Sequence, residues 1–512
     1  MALHGLPSRQ LTRLLIAGSR HARSAAPYAV GVVAFAYFLA FPLQPSQSDE
    51  SVYLYGSQRL LEGQVLYRDF FEFITPGALY FFAGVFALTG PSLLAARVAM
   101  AAVNGLAAWL LFSLVRRVAG VAEALASALV FVVVCLSVWR QASPHWLTTC
   151  LCLATAAALF ADDWSVRFRA AVSGVLTGVA LCVHQHHGVF LAVWLALALA
   201  GFAYLSPRGE RWRSWSRQTL WAAGAGGAVV LAVLGYCAWR ASVERVVYAL
   251  YTWVLENYRP EKQGRVGWAG SFWMSASDLA YTWPWLLRWL PAALAIETAS
   301  LAWRLRRICG RDEVVRACLL LLAAAMSASI LYYPDYIHVA FIAPFLLIVA
   351  ARVFHALLER MPWARVALVG VLLVALAIKG SENLARAWAT APERVTTPIG
   401  TLRLKPGQRA LLEVVRNVVG PARPALFSYP GDAWLYLVVP AENPTPYSLL
   451  LPRYNSAEQY ADAVAAIERR HTPYLVLLSA MLPDNDPILR YAREHFEPVA
   501  TPWPYTIYRR AS

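Results

Sequence analysis

Over the first 380 residues, apolar runs of about 20 residues alternate with short polar turns, and each run is long enough to cross hydrocarbon as a helix. Eleven runs fall at 27–43, 91–115, 121–139, 145–161, 170–184, 187–205, 219–239, 286–303, 314–333, 337–358 and 363–380. A helix satisfies its own backbone in lipid, so the pattern predicts a polytopic helical bundle. One further apolar stretch, 77–88, is too short to span and predicts a helix lying at the outer interface.

Beyond residue 380 the pattern changes. Proline becomes frequent, and strand-length apolar pieces at 425–429, 474–479 and 505–508 alternate with helix-like ones. Ser456 followed by Gln459 reads as a capping box opening a helix over 457–470. The expected fold is therefore mostly α: an N-terminal tail (1–26), a transmembrane module (27–380) with a first external loop at 44–90, and a small α/β domain (381–512). Neither an internal repeat nor a low-complexity tract interrupts it.

Composition supports a membrane protein: 59% of the 512 residues are hydrophobic. The net charge of +15 does not point to nucleic acid, because the arginines cluster in alternate connections between runs. The N-terminus, Arg116/Arg117, Arg167/Arg169, Arg208 to Arg217, Arg304 to Arg311 and Arg360/Arg365 all fall on one side, expected to be cytoplasmic. Arg9, Arg13, Arg20 and Arg23 precede the first run, and no small-residue cleavage site follows it, which predicts an uncleaved signal anchor. The expected location is a bacterial inner membrane, with the C-terminal domain extracytoplasmic. Seven cysteines, most of them within apolar runs, imply no disulfide framework.

The opposite face collects the carboxylates, histidines and aromatics. Ser48-Asp49-Glu50-Ser51-Val52-Tyr53 places two acids just beyond the first run; with Ser48 as a cap, both sit in the first turn of a helix, where acids are also ordinary. The segment continues through Tyr55, Arg59, Leu66-Tyr67-Arg68-Asp69-Phe70-Phe71-Glu72 and Thr75-Pro76-Gly77 to Gly90-Pro91-Ser92 and Arg97. In these residues, about 45–120, the chain resembles the GT-C glycosyltransferases, specifically the bacterial relatives of protein O-mannosyltransferases and the lipid A aminoarabinose transferase. The resemblance implies an inverting transfer of a sugar from a polyprenyl-phosphate donor to a lipid, glycan or protein acceptor. It makes Asp49 the base that activates the acceptor and Glu50 the neighbour that orients it or helps hold a metal.

Many such relatives carry a lysine in a Lys-Pro-Pro-Leu stretch near the donor phosphate, but here the matching positions read Thr75-Pro76-Gly77-Ala78. Arg68, Arg97 and His184 are the candidates to replace it; for Arg97, inside a span, an ion pair orienting helices is the competing reading. His184-Gln185-His186-His187 leaves a divalent metal open, with ligands from another loop such as Asp49 or Glu50, although the pattern requires no cofactor. Asp335 and His338, three apart in an outer turn, are expected to meet the donor head group, and Arg140 and His145 are weaker candidates. The tryptophan-rich loop 240–285 reads as an interfacial anchor. A transporter or lipid flippase is the competing class, disfavoured because the ionisable residues gather at one face and no repeat appears.

Overall fold

The computed structural model describes residues 25–46, 49–258, 290–331, 336–452 and 454–511. Helix α1 (Ala25–Leu39) leads through α2 (Asp49–Leu61) and α3 (Gly77–Thr89) of the first loop to α4 (Leu93–Val118). Next come α5 (Val121–Val138), α6 (Pro144–Leu159), α7 (Val166–Val183), α8 (Gln185–Tyr204) and α9 (Arg211–Ala241). Residues 243–257 form α10, which contains a π turn at Tyr248–Thr252. The helical part closes with α11 (Leu290–Leu305), α12 (Arg311–Ser329), α13 (Tyr336–Leu357) and α14 (Pro362–Thr390).

Helices α1, α4 to α9 and α11 to α14 lie on the eleven predicted runs. Among the described residues, seven of them (α4, α5, α7, α8, α9, α13 and α14) are long and apolar enough to cross a membrane. The protein is a multi-pass membrane protein with a mostly helical fold. Helix α14 carries on past residue 381 to Thr390, so the apolar pattern fades before the helix ends.

Small residues set the tightest contact in the bundle. A Cβ added at Gly174 would meet the Ala222 carbonyl oxygen at 2.1 Å, and one at Gly178 would meet the Gly226 carbonyl oxygen at 2.5 Å. The four-residue spacing on both helices lets the α7 and α9 backbones touch, which is how helices gain packing where lipid offers no hydrophobic drive. Charges within the bundle are paired. Arg316 reaches Glu297 at 2.6 Å between α12 and α11, and Glu123 on α5 takes Arg365 at 3.3 Å and His355 at 3.0 Å.

The C-terminal part begins with the antiparallel hairpin of β1 (Glu393–Thr397) and β2 (Gly400–Leu404), followed by α15 (Pro406–Val419). Then come β3 (Leu426–Tyr429), α16 (Trp434–Val438), α17 (Ala457–Arg469), β4 (Tyr474–Leu477), α18 (Pro487–His495), β5 (Phe496–Ala500) and β6 (Thr506–Arg510). Four strands make a mixed sheet in the order β3-β4-β6-β5, with β3 and β4 parallel and the other pairs antiparallel. All four β3 residues are buried, as are three of the four in β4, so these strands read as continuous apolar runs. The Ser456–Gln459 capping box opens α17.

This part docks on the first loop rather than standing clear of it. Tyr55 of α2 stacks on Tyr436 at 4.7 Å, and the Phe71 amide donates to the Pro446 carbonyl at 2.9 Å. Buried Arg59 donates to the Thr445 carbonyl and the Ser448 hydroxyl, and the Trp253 indole of α10 donates to Gln459 at 2.8 Å. The segment 443–448 is thereby fixed on the first loop.

Candidate functional site

A cavity of about 490 Å³ opens where the first loop, the turn before α6, the α7–α8 junction and the start of α13 converge. Its walls follow from local sequence. Asp49 and Glu50 occupy the first turn of α2, where unpaired backbone N–H groups favour acids. Neighbours on a helix point about 100° apart, and these two reach different surroundings.

Asp49 lines the cavity. Glu50, 1% exposed, instead accepts a bond from Arg97 Nη2 at 2.8 Å and one from the Ala142 amide at 2.8 Å. Arg97 also donates to the Gln44 carbonyl at 3.3 Å. Burial raises the Glu50 carboxyl above the ordinary carboxylate range, offset in part by Arg97 and the Ala142 amide. This pair ties α4, α2 and the turn before α6 together, and neither member lines the cavity.

Glu72 supplies the second carboxylate of the cavity. It sits among Phe70, Phe71 and Phe73, is 7% exposed and accepts the Phe73 amide at 2.9 Å. Burial, with the nearby charge of Asp49 adding to it, pushes its carboxyl up to about 7. The segment after it is held by Gln185, which donates to the Phe73 carbonyl at 2.8 Å and accepts the Thr75 amide at 3.1 Å. Next along, a Cβ on Gly77 would meet the Cys182 carbonyl oxygen at 2.6 Å, so glycine lets the start of α3 abut the end of α7.

Histidines from three segments converge on the same space. His184 ends α7, its ring capping α8 through the His187 amide. His145 lies in the first turn of α6 after Ser143 and Pro144, stacked on Phe341 with ring centres 4.4 Å apart. His338, in the first turn of α13, packs edge-on to His145 at 5.2 Å. Tyr53, Trp139 and Tyr258 add aromatic faces, and Leu449, Leu451 and Tyr454 from the C-terminal part complete the lining. Among the described residues, no arginine or lysine lines it.

Of the sequence candidates, Asp49, His145, His184 and His338 line this cavity, whereas Glu50, Arg68, Arg97 and Arg140 do not. Arg68 is half exposed and forms a two-bond pair with its neighbour Asp69 at 2.8 and 2.9 Å, turned toward a separate polar pocket. Neither Arg68 nor Arg97 lines the cavity, and each guanidinium is bonded to a carboxylate. Asp335 lies outside the described residues, as do Ser48 and the tryptophans of 259–289. Sequence reasoning passed over Glu72, although an acid in a run of three phenylalanines signals a buried carboxyl.

No protein-family model matches the chain, and no curated protein sequence matches it. Solved structures do. ArnT from Cupriavidus metallidurans bound to undecaprenyl phosphate superposes with a TM-score of 0.55 at 14% identity, covering 96% of this chain and 98% of that one. The apo form of ArnT gives 0.56 at the same identity and coverage. The Archaeoglobus fulgidus oligosaccharyltransferase in complex with zinc and sulfate gives 0.52 at 13% identity, over 91% of this chain and 71% of that one. The chain thus has the GT-C-like fold that its first-loop residues resemble. Identities this low fix the fold and leave the chemistry to the site.

Proposed function

We propose that this protein is an inverting membrane glycosyltransferase, moving a sugar from a polyprenyl-phosphate donor to a lipid, glycan or protein acceptor at the outer face of a bacterial inner membrane. The observation that carries this reading is the pairing of two spaces. Besides the cavity with Asp49 and Glu72 there is an apolar groove of about 650 Å³ between α3, α4, α6, α7 and α9, some of whose lining residues are close in sequence to those of the cavity. Gly77, Cys182 and Val183 line the groove, within three residues of the cavity residues Ile74 and His184. A donor with an apolar chain and a polar head matches that division.

In the proposed reaction an acceptor hydroxyl gives its proton to Asp49 as its oxygen attacks the anomeric carbon. The bond from that carbon to the phosphate oxygen breaks, and the prenyl phosphate leaves with the electron pair. A phosphate is a stable leaving group, so one base suffices, contributing about 10²- to 10⁴-fold. Alignment of donor and acceptor supplies much of the remainder. The aromatic faces of Tyr53, Trp139 and Tyr258 suit the apolar faces of a sugar.

The test is transfer of radiolabelled sugar from a panel of polyprenyl-phosphate donors in membranes holding wild type or Asp49→Asn. Label should move with wild type and fall by at least about 100-fold in the variant at equal folded protein. Absence of transfer from every donor by well-folded wild type would sink the reading and favour transport.

A further inference from the structure

We infer that His145, His184 and His187 bind one divalent transition metal, best matched by zinc, whose fourth position is open to a phosphate oxygen. The metal site stands on its own geometry; only the identity of the fourth ligand rests on the transferase reading. The triad comes from two places in the fold, the first turn of α6 and the α7–α8 junction, and its ligand atoms all lie within 4.8 Å of one another. The rings are 8%, 5% and 4% exposed, with centres 4.5 Å (His145 to His184), 4.5 Å (His184 to His187) and 5.4 Å (His145 to His187) apart.

Buried imidazoles ordinarily satisfy their ring nitrogens. Here His145 Nδ1 and His187 Nε2 are both buried without a hydrogen-bond partner among the described residues. His184 is held only by a long contact, 3.4 Å from the His187 amide to its Nδ1. Three nitrogen donors with little else to bond are the set a tetrahedral site uses when it keeps one position open. Zinc–nitrogen bonds of about 2.1 Å place tetrahedral ligands about 3.4 Å apart, so the ligand atoms must close by up to about 1.4 Å, within reach of side-chain rotation. Neutral imidazoles without thiolate also suit zinc over harder cations, which prefer oxygen.

The charge in the cavity gives the metal something to do. Asp49 and Glu72 line it, and no described arginine or lysine does. A divalent ion on the triad would supply the positive charge that draws a phosphate oxygen, leaving Asp49 to serve as base.

The experiment uses the full chain in detergent, stripped with a chelator and titrated with Co²⁺ as a visible probe. The expected result is about one Co²⁺ per chain with the intense visible bands of four-coordinate cobalt, displaced by Zn²⁺. His145→Ala and His187→Ala should each weaken binding by more than about 100-fold, beyond the loss from an outer-shell partner. His187→Cys guards against simple misfolding: it should keep the metal and add a thiolate-to-cobalt band.

Stripped wild type that takes up no stoichiometric Co²⁺ overturns the site, as does a triple alanine variant that binds like wild type. Farnesyl phosphate should shift the cobalt bands, and unchanged bands at saturating probe overturn the open position for phosphate. Sugar transfer that survives complete metal removal overturns the metal's part while leaving the transferase reading standing. Stoichiometric metal at the triad with no transfer from any donor supports the site and removes that reading.

Discussion

Asp49 and Glu50 are adjacent on one helix turn, yet they belong to two different kinds of region. Around Glu50 the carboxylate meets Arg97 and the Ala142 amide, and three elements are clamped together. Around Asp49 there is space, a second carboxyl that burial pushes up to about 7, and histidines of which His145 Nδ1 and His187 Nε2 have no hydrogen-bond partner among the described residues. A charge that builds the fold is matched by its counter-charge in the protein. The cavity side instead gathers two carboxylates and several histidines around an open space, as a site for chemistry does.

The strongest way to break this contrast is to remove the clamp. Arg97→Met leaves the Glu50 carboxyl buried without its cation, and should lower stability by about 3–5 kcal/mol, seen as a large drop in melting temperature in detergent. Pairing it with Glu50→Gln should recover part of that loss, and a double variant no better than the single would deny the coupling.

Glu72→Gln sharpens the other side. A carboxyl raised from its usual range to about 7 contributes stability that is fully present below about pH 4.5 and is lost as pH rises toward 7. Wild type should therefore lose up to about 3 kcal/mol relative to the glutamine variant across that window. Parallel stability curves for the two proteins would contradict the burial argument.

Gly174→Ala should cost about 1–3 kcal/mol, because the new methyl meets the Ala222 carbonyl and α9 must move. At the small end, Arg68→Ala removes an exposed pair with Asp69. It should change stability by less than about 1 kcal/mol and leave transfer rates unaltered; a large rate loss would return Arg68 to the donor site.

What the sequence made legible follows from which forces act locally. The eleven apolar runs appear as helices at their expected places, because periodicity and length report directly on burial and lipid. Ser456 and Gln459 form their capping box, and the three apolar strand pieces appear as β3, β4 and β6. Polar strands escaped notice: β1, Glu-Arg-Val-Thr-Thr, carries no apolar signal, and its pairing with β2 comes from the hairpin. The π turn at Phe131–Cys135, just ahead of Trp139, leaves no trace in composition.

The site was harder because its parts meet only in three dimensions. Arg97 and Glu50 are 47 residues apart, and the choice between ion pair and phosphate ligand turns on a contact no spacing reveals. His145, His338 and the cluster at His184 stand in separate stretches of the sequence, and only the fold brings His145, His184 and His338 to one cavity. Arg68 looked available because its partner is simply the next residue, Asp69. The cavity roof of Leu449, Leu451 and Tyr454 came from a region expected to be a separate domain, and only the docking of residues 443–448 on the first loop brings it over Asp49.

The central claim is that one acid of the pair does chemistry while the other holds structure, and a side-by-side rate measurement tests it most directly. Initial rates of sugar transfer per mole of folded protein would be taken for wild type, Asp49→Asn and Glu50→Gln. The account predicts a folded Asp49→Asn slowed by about 10²- to 10⁴-fold, and a less stable Glu50→Gln whose folded fraction works within about tenfold of wild type. An active Asp49→Asn, or a folded Glu50→Gln as slow as Asp49→Asn, would contradict it.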